Sequence, residues 1–376
     1  MPKIYRCLVL LLCIHTPLHA TTFDPGEDPP YAAALLQEVD TGTILFAHNA
    51  QARRSPASTQ KLLLQLVIMD MIAVGKFSLD EDIHVSARAS RIGGSQVFLA
   101  EGEVFSLHEL MEAIAIPSAN DACVAVAEHI GGSVEGFVDM MNQRVADLGL
   151  ENTHCVNVHG LDDTPSGQGN HTSAYDLATL SRALLAYPKI LQWSSIRYKL
   201  FRQGKFKLFT TNKLLGKFRG LDGLKTGHTQ RAGHCLVATA KRNDMRLLSV
   251  VLGAPTQKQR ANETKRLLSW GFNNFSKTPI VEANQDMGSV MLDWGLEPTV
   301  NVQTKETVIA VLSPLQQRQL VRQVELPTEL PAPVEAGQDI GKLKISIGDS
   351  LLAEVNLIAT KSVGRMSVWE KLMSYF

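Results

Sequence analysis

The sequence has no excess of charge, because 37 Lys and Arg residues balance 37 Asp and Glu residues in a chain of 376 residues. A protein without net charge has no overall electrostatic attraction for nucleic acid or acidic lipid, so we predict no nucleic-acid partner. Any partner has to be recognised locally. The sequence also contains no internal repeat and no low-complexity tract, and its length suffices for two domains, one with a large core.

Cysteine is scarce, with five residues in the whole chain, and Cys7 and Cys13 fall within an N-terminal apolar run. The other three, Cys123, Cys155 and Cys235, are an odd number, so no disulfide framework is indicated. We expect Cys123 and Cys235 to be buried thiols in apolar segments.

Metal-ligand spacing is also missing. Eleven histidines are present, and His154, His159 and His171 lie near Asp162 in the sequence. They contain no His-x-x-x-His pair or similar zinc pattern. We therefore predict no metal and no other cofactor.

The N-terminal apolar run, Cys7 to Ile14, is too short to span a bilayer. It follows Lys3 and Arg6 and precedes Leu18-His19-Ala20, an acceptable cleavage site. This pattern is typical of an export signal. We therefore predict a signal peptide over residues 1–20 and an exported mature chain, with a retained anchor as the alternative.

The order of secondary-structure signals predicts an α+β domain. Apolar runs around turn residues predict two hairpins, over residues 32–47 and 233–253. Between them we expect a polar loop at the border of a cleft, and Ser173 with Asp176 as the capping box of one helix. The predicted helices cover residues 107–116, 120–130, 133–148, 174–186 and 256–270. Strands at both ends of such a segment indicate one sheet with a helical cluster inserted. The cleft loop covers residues 86–96.

The character of the chain changes near residue 277. Short alternating runs and several prolines then predict a small all-β domain over residues 278–361, which we expect not to need the final segment, 362–376. Drawn as a helix, that segment has one apolar face, typical of a helix lying in a membrane interface. A terminal helix packed on the β-domain is the alternative. The apolar face consists of Met366, Val368, Trp369, Leu372, Met373, Tyr375 and Phe376.

One stretch has the spacing of a nucleophile and its base. Ser55 can cap a helix whose first position suits Pro56 and whose end suits Gly75. Ser58 then lies in the first turn, and Lys61 shares its helical face. The helix body is apolar on nearly all sides, so Lys61 is partly desolvated, its pKa is lowered, and it can accept the hydroxyl proton. The alternative is a lysine that extends to solvent.

Two more short motifs stand at element boundaries. Ser118-Ala119-Asn120 opens the helix that contains Cys123, and Lys225-Thr226-Gly227-His228 leads into the strand from Gly233. Singly, Ser118 could be a plain helix cap and Lys225 a solvated charge at a strand edge. In this order after Ser-x-x-Lys, they form the motif set of penicillin-binding proteins and class A β-lactamases.

The sequence resembles the low-molecular-mass penicillin-binding proteins, the serine-type D-alanyl-D-alanine carboxypeptidases. The resemblance covers nearly the whole mature chain, including the stretches 158–162, 173–176, 222–229 and 336–341. Alanine stands at 119 where relatives usually have glycine, a change that could narrow the pocket slightly. The resemblance implies a serine β-lactamase/DD-peptidase-like catalytic domain over residues 21–277, with an antiparallel sheet and a helical cluster, followed by the all-β domain.

The resemblance also implies residue roles. Ser58 would be the acylated nucleophile, Lys61 its general base, and Ser118 a relay that protonates the leaving D-alanine amine. Asn120 would bind the substrate amide and orient Lys61. The Lys225-Thr226-Gly227-His228 motif would bind the terminal carboxylate through Lys225 and Thr226, and complete an oxyanion hole with the backbone amides of Ser58 and His228.

Four further residues are candidates at the cleft. Arg260 matches a basic position near the substrate carboxylate, with a solvated helix charge as the alternative. The positions that would line the cleft are Ser95, His159 and Leu161.

The implied enzyme is exported, needs no cofactor, removes the last D-alanine of the peptidoglycan pentapeptide and is acylated by β-lactams. We expect it at the periplasmic face of the cytoplasmic membrane, attached peripherally through its last helix. A β-lactamase, a DD-endopeptidase of the same fold and a non-catalytic wall scaffold are the alternatives. Glu128, Glu135 and Glu151 lack the Glu-x-x-Leu-Asn setting of class A β-lactamases.

Overall fold

The structure is a computed structural model, and it describes residues 22–162 and 169–373. The chain divides into two compact units, one spanning Phe23–Asn273 and the other containing the described residues from Asn274 onward. The predicted signal peptide lies outside the described residues. In the described ranges, no helix has both the length and the apolar content needed to cross a membrane.

A five-stranded antiparallel sheet organises the first unit. The strands of the first unit, five of which form this sheet, are β1 (Ala33–Glu38), β2 (Ile44–His48), β3 (Asp82–His84), β4 (Val104–Ser106), β5 (Tyr198–Phe201), β6 (Phe206–Phe209), β7 (Leu221–Thr229), β8 (Gly233–Arg242) and β9 (Met245–Ala254). The main sheet has the order β2-β1-β9-β8-β7, while β3 pairs with β4 and β5 pairs with β6. The predicted hairpins are thus confirmed as β1–β2 and β8–β9, and both ends of the segment contribute to one sheet.

The helices of this unit are α1 (Lys61–Ala73), α2 (Ala87–Arg91), α3 (Leu107–Ala115), α4 (Asn120–Gly131), α5 (Val134–Asp147), α6 (Ala174–Leu185), α7 (Pro188–Ser194) and α8 (Gln257–Asn274). The five helices predicted from periodicity are present as α3 to α6 and α8. The prediction of a loop over 86–96 is wrong for its first half, because Ser86 Oγ accepts a hydrogen bond from Ala89 N and begins α2.

Helix α1 lies in the core of the first unit. Every residue from Lys61 to Met69 is buried, as expected for a helix that is apolar on all sides. Gly75 ends it as predicted, with φ +73°. Gly75 N donates to Ile72 O and Lys76 N donates to Met71 O, both at 3.0 Å, which is a Schellman motif.

The start of α1 differs from the prediction. Ser55 does not cap it, because Ser55 Oγ donates to Asp162 Oδ1 at 2.8 Å. A short 3₁₀ helix, Ala57–Gln60, precedes α1 and contains Ser58.

The predicted capping box of α6 is only half present. Ser173 Oγ accepts from Asp176 N, but the Asp176 carboxylate accepts from the backbone N of Asn152 and from Thr153 Oγ1.

The second unit is dominated by strands. These are β10 (Ser276–Val281), β11 (Asp286–Asp293), β12 (Thr299–Thr304), β13 (Val308–Leu312), β14 (Leu320–Glu325), β15 (Glu329–Pro331), β16 (Asp339–Ile347) and β17 (Ser350–Ala359), with the short helices α9 (Pro314–Arg318) and α10 (Val368–Met373). Six strands form a sheet in the order β14-β16-β17-β12-β11-β15, and β10 pairs with β13. The predicted fold class, an α+β domain followed by a small all-β domain, is confirmed.

The beginning of the C-terminal segment belongs to the β-domain. Val363 is buried, forms a bridge with Val334 and packs in the same apolar cluster. Arg365 forms a bridge with Gly295, and Met366 N donates to Trp294 O at 2.7 Å. The expectation that the β-domain does not need residues 362–376 is therefore wrong for residues 362–366. Of the predicted apolar face, Tyr375 and Phe376 lie outside the described residues.

Candidate active site

Ser58 stands where the 3₁₀ helix passes into α1. Ala57, immediately before it, has φ +47°, a conformation that L residues rarely adopt. Ser58 is half-buried, whereas Ala57, Thr59 and Gln60 are buried. The turn thus exposes one hydroxyl at the end of a buried helix.

The Lys61 ammonium group is wholly buried and surrounded by oxygen atoms. Its Nζ lies 2.6 Å from Ser118 O, 2.5 Å from Asn120 Oδ1, 3.1 Å from Ser118 Oγ and 3.3 Å from Ser58 Oγ. The alternative in which Lys61 extends to solvent is therefore wrong. The structure brings Ser58, Lys61, Ser118 and Asn120 together around one nitrogen.

The four contacts determine what a neutral Lys61 can do. Ser118 O and Asn120 Oδ1 can only accept hydrogen bonds, so they take two N–H donors. A neutral amine has two N–H bonds and one lone pair, which leaves the lone pair for a serine hydroxyl. Burial lowers the pKa of Lys61, against smaller opposing effects of Cys123 and Asp121. The site thus favours the proton-accepting form and directs it to a hydroxyl.

Ser118 and Asn120 are held by the backbone before α4. Ser118 has φ +72°, and the N-cap residue of α4 is Ala119, so the alternative of Ser118 as a plain helix cap is wrong. Asn120 Nδ2 donates to Gly93 O at 2.7 Å, and its Oδ1 accepts from Lys61. These two hydrogen bonds direct the amide oxygen of Asn120, rather than its amide nitrogen, towards Lys61.

The motif at residues 225–228 lies within β7, at the edge of the main sheet, rather than ahead of a strand. Lys225 is 1% exposed, so it is not a solvated strand-edge charge, and its Nζ donates to Thr226 O at 2.9 Å. Burial, and then the Lys61 charge, lower the pKa of Lys225 well below its ordinary value. The Thr226 hydroxyl lies 2.6 Å from Thr211 Oγ1. His228 is exposed, and its ring stacks on His234 with centroids 4.0 Å apart.

Gly227 lets β7 pass directly beside the Ser58 turn. A Cβ atom at Gly227 would lie 3.0 Å from Ser58 N, Pro56 O and Ala57 Cβ, tighter than ordinary van der Waals contact. The backbone around His228 and the backbone N–H of Ser58 are therefore adjacent, as two donors to one oxyanion require.

Gly160 approaches the other side of the same turn. Its φ is +86°, and an added Cβ would lie 2.0 Å from Ala57 O. We expect Gly160→Ala to lower the free energy of unfolding by more than about 3 kcal/mol and to slow acylation, because the Ala57 carbonyl has to move. Gly102→Ala is a matched control, since Gly102 has φ +84° and no atom within 4 Å of its added Cβ; it should cost only about 1 kcal/mol. Equal losses in denaturant unfolding would contradict this account.

Arg260 is buried, at 3% exposure, so its alternative interpretation as a solvated helix charge is wrong. Its Nη1 donates to Cys235 O at 3.3 Å, and its Nε has no hydrogen-bond partner among the described residues. Burial lowers the pKa of Arg260, whose charge in turn lowers the pKa of Lys225. Two buried cations that act on each other electrostatically favour the binding of an anion.

The three cleft candidates have different surroundings. Ser95 is exposed, and its carbonyl accepts from Asn120 N at 2.7 Å. His159 is buried, burial lowers its pKa to about 4, and its Nδ1 accepts from Leu161 N at 3.2 Å. His159 is therefore neutral near pH 7 and supports the loop. The Leu161 side chain lies 3.5 Å from the position of a Cβ on Gly94, across from the Ser95 loop.

Two structural residues were not identified from the sequence. The buried Asp121 carboxylate accepts from Val97 N and Leu99 N, both at 3.0 Å, and so holds the loop that contains Ser95. Thr211, 15 positions before Thr226, holds the Thr226 hydroxyl. No sequence spacing indicates either contact, although Asp121 follows Asn120 directly.

Comparison with known families identifies the chain. A family model described as D-alanyl-D-alanine carboxypeptidase matches residues 27–256. The chain belongs to this family. A second model, described as the C-terminal domain of penicillin-binding protein 5, matches residues 275–365. The protein is thus a D-alanyl-D-alanine carboxypeptidase and a penicillin-binding protein, and the β-lactamase and scaffold alternatives are not favoured.

Individual relatives agree with this assignment. The carboxypeptidase is 34% identical to D-alanyl-D-alanine carboxypeptidase DacF of Bacillus subtilis, over 88% of this chain and 85% of that protein. It is 34% identical to DacD of Escherichia coli, over 94% and 92%. The structure of penicillin-binding protein 5 from Haemophilus influenzae matches with a TM-score of 0.75 and 33% identity, over 90% of this chain and 100% of that one.

A solved relative also includes a β-lactam. Penicillin-binding protein D2 of Listeria monocytogenes, described in an ampicillin-bound form, matches with a TM-score of 0.61 and 31% identity. The match covers 66% of this chain and 100% of that one. The family and these structures support peptidoglycan as the substrate and β-lactams as ligands of the carboxypeptidase.

Proposed function

We propose that the carboxypeptidase removes the terminal D-alanine of peptidoglycan pentapeptides through an acyl-enzyme on Ser58. Lys61 Nζ takes the hydroxyl proton as Ser58 Oγ bonds to the carbonyl carbon between the two D-alanines. The carbonyl oxygen becomes an oxyanion beside the backbone N–H groups of Ser58 and His228. The C–N bond then breaks, and the leaving nitrogen takes a proton through Ser118 Oγ, which lies 3.1 Å from Lys61 Nζ. Water hydrolyses the ester and restores Ser58.

The observation that carries this proposal is the environment of Lys61. Two obligate acceptors hold its N–H donors at 2.5 and 2.6 Å, and the two serine hydroxyls are the remaining contacts. The same amine can therefore take a proton from Ser58 and return it through Ser118. Among the described residues, no carboxylate lies within hydrogen-bond distance of Ser58 Oγ or Lys61 Nζ, so no glutamate or aspartate competes for the role of base.

The test uses a pentapeptide, a cross-linked muropeptide dimer and a fluorescent penicillin. Mass spectrometry should show loss of one alanine from the pentapeptide and slow release of the penicillin label. Cleavage of the dimer alone would favour an endopeptidase, and rapid turnover of the label would favour a β-lactamase. A folded protein that took up no label would favour the scaffold.

We assign recognition of the substrate carboxylate to Lys225, Thr226 and Arg260. Both cations are buried with few partners, and a bound carboxylate would complete their coordination. Gln at 225 keeps most of the volume but loses the charge. We expect Lys225→Gln to raise the activation free energy by about 1.5 to 3 kcal/mol for free-acid substrates. Amidated substrates should lose much less, and an unchanged ratio of the two activities would reject this assignment.

We further propose that the chain is exported through its first 20 residues and acts at the periplasmic face of the cytoplasmic membrane. Lys3 and Arg6, the apolar run and the site at Ala20 support this. The mass of the N-terminal peptide of the secreted protein should correspond to cleavage after Ala20. A mature chain that kept residues 1–20 would show a retained anchor instead.

Peripheral attachment is assigned to α10 and the residues that follow it. Val368, Trp369, Leu372 and Met373 are between 52% and 78% exposed. Lys371 lies 3.6 Å from Asp293 and over the Trp294 ring, so the helix contacts the β-domain through its polar face. This leaves the apolar face open to a membrane interface, where a tryptophan suits the headgroup level.

A truncation that tests this assignment removes residues 367–376 and keeps the buried Val363. We expect the truncated protein to leave the membrane fraction and to keep its activity on soluble peptides. Trp369→Ser with Leu372→Ser should act similarly. Val321→Ser with Leu351→Ser, which removes two exposed apolar side chains elsewhere, is the control. Sedimentation of all variants with vesicles would overturn the assignment to α10.

A further inference from the structure

Residues 197–219 form a strongly basic and aromatic segment of a chain whose total net charge is zero. They include eight cations and no Asp or Glu: Arg197, Lys199, Arg202, Lys205, Lys207, Lys213, Lys217 and Arg219. Five aromatic residues alternate with them, Tyr198, Phe201, Phe206, Phe209 and Phe218. The mechanism proposed above uses none of these residues.

The β5–β6 hairpin separates this segment into two faces. Phe201 and Leu208 are buried, Phe201 stacks on Phe105, and Lys199 forms an ion pair with Glu112. This inner face anchors the hairpin. The outer face exposes Tyr198 and Phe209, which are paired across the strands with ring centroids 5.3 Å apart. They are 47% and 58% exposed, so two aromatic rings are available to a ligand.

A groove lies beside these rings. It has a volume of about 460 Å³ and is lined by Tyr198 and Phe209 together with Arg197, Lys213 and Lys217, a size typical of ligand sites. All three cations are exposed, and none is within ion-pair distance of a carboxylate of the described residues. The Arg197 side chain lies over the Gly216 turn, where an added Cβ would meet its Nη1 at 3.0 Å. The groove therefore combines an apolar wall with uncompensated positive charge.

A short segment around Thr211 joins the groove to the candidate active site. Thr210 and Asn212 line it, and Thr211 between them bonds Thr226 Oγ1 at 2.6 Å. Asn212 Nδ2 donates to Gly223 O on β7. Because consecutive Cα atoms are about 3.8 Å apart, the groove wall at Thr210 and Asn212 begins one residue away from the Thr211–Thr226 contact.

We infer that the groove binds a neighbouring disaccharide-peptide unit of the same peptidoglycan strand whose pentapeptide occupies the cleft. This inference depends on the proposed function. The C–H face of an amino-sugar ring packs against Tyr198 and Phe209. Lys213, Lys217 and Arg197 bind the terminal carboxylate of that unit's stem peptide. Trimmed and untrimmed stems both end in a carboxylate, so the groove accepts either, and the enzyme stays on a strand between successive cleavages.

An anionic bilayer also attracts cations beside aromatic rings. The groove favours the strand instead, because a concave site of this size with a link to Thr226 fits a discrete ligand rather than a flat surface. Vesicles that contain anionic lipid serve as the competing probe.

The experiment compares a soluble pentapeptide with uncross-linked glycan strands that carry pentapeptides. Lys213→Gln with Lys217→Gln should raise KM for strands roughly fivefold, as the loss of two partly exposed ion pairs predicts. KM for the soluble pentapeptide, which does not reach the groove, should change less than about twofold. The matched control is Lys205→Gln with Lys207→Gln, which removes the same charge from the adjacent β5–β6 hairpin at positions that do not line the groove. Tyr198→Ser with Phe209→Ser should also raise KM for strands, but it should leave the salt dependence intact.

Each other outcome decides against the inference. An equal effect of the two lysine pairs would show general attraction, and an equal effect on the soluble peptide would show structural damage. Loss of vesicle binding in the groove variant with unchanged strand kinetics would assign the groove to the membrane. A wild-type protein that released no D-alanine from the soluble pentapeptide would reject the proposed function itself, independently of the groove.

Discussion

In the Ser58→Ala protein, D-alanine release and covalent labelling by penicillin should both fall to background. Among the residues that the structure describes, Ser58 alone has its hydroxyl beside Lys61 and its own backbone N–H beside β7. Alanine fits the same turn, so the protein should fold and melt normally. Peptide mapping after fluorescent penicillin treatment measures the result.

Ser95→Ala provides the control for Ser58→Ala. Ser95 is exposed and borders the cleft. It contacts Asn120 through its backbone carbonyl, so Ser95→Ala keeps that hydrogen bond. Labelling of this control should continue at Ser58. If the Ser58→Ala protein were labelled at Ser118, the nucleophile would be Ser118 and the roles of the two hydroxyls would be reversed.

Lys61→Met should slow acylation by both pentapeptide and penicillin by about three orders of magnitude, within the range for loss of a general base. Methionine fills the buried volume but leaves Ser118 O and Asn120 Oδ1 without their donor, so some stability is also lost. Lys76→Met, at an exposed lysine just after α1, is the control for the substitution itself. Stopped-flow labelling at the wild-type rate in Lys61→Met would exclude Lys61 as the base.

The pH dependence follows from the same residue. In the proposed mechanism the neutral amine of Lys61 is the base, so acylation should accelerate as pH rises through the pKa of Lys61, which burial places below its ordinary value of 10.5. The carboxylate binding that we propose for Lys225 has the opposite pH dependence, because it needs the charged amine and burial lowers the pKa of Lys225 as well. KM for free-acid peptides should therefore rise at high pH, while KM for amidated peptides should not. A KM that changes equally for both would argue against Lys225.

Much of the fold could be predicted from the sequence because its signals are local. The period of the apolar residues predicts α3 to α6, turn residues between apolar runs predict the β1–β2 and β8–β9 hairpins, and Gly75 ends α1 as its freedom at positive φ allows. The spacing of Ser58 and Lys61 placed them on one face even though the first turn is 3₁₀ rather than α, because either geometry brings residues three apart together.

Other features were decided by contacts between segments far apart in sequence. Ser55 could cap a helix, but Asp162 is closer to its hydroxyl, and the Asp176 carboxylate is used by Asn152 and Thr153 instead of its own helix. Side-chain oxygens of this kind accept whichever donor the fold presents, and local sequence does not specify it.

The sequence by itself determined the set of catalytic candidates, their order and the family, since these depend only on residue identity and spacing. Tertiary structure alone decided which candidates are buried. Lys225 and Arg260 could both have been solvated charges, and the packing of β7 and α8 buried them instead. The anion binding that we propose for them depends on that burial, because desolvation strengthens an electrostatic interaction that water would otherwise screen. The contact of Thr211 with Thr226, and hence the groove beside the active site, arises in the same way from chain segments that meet only after folding.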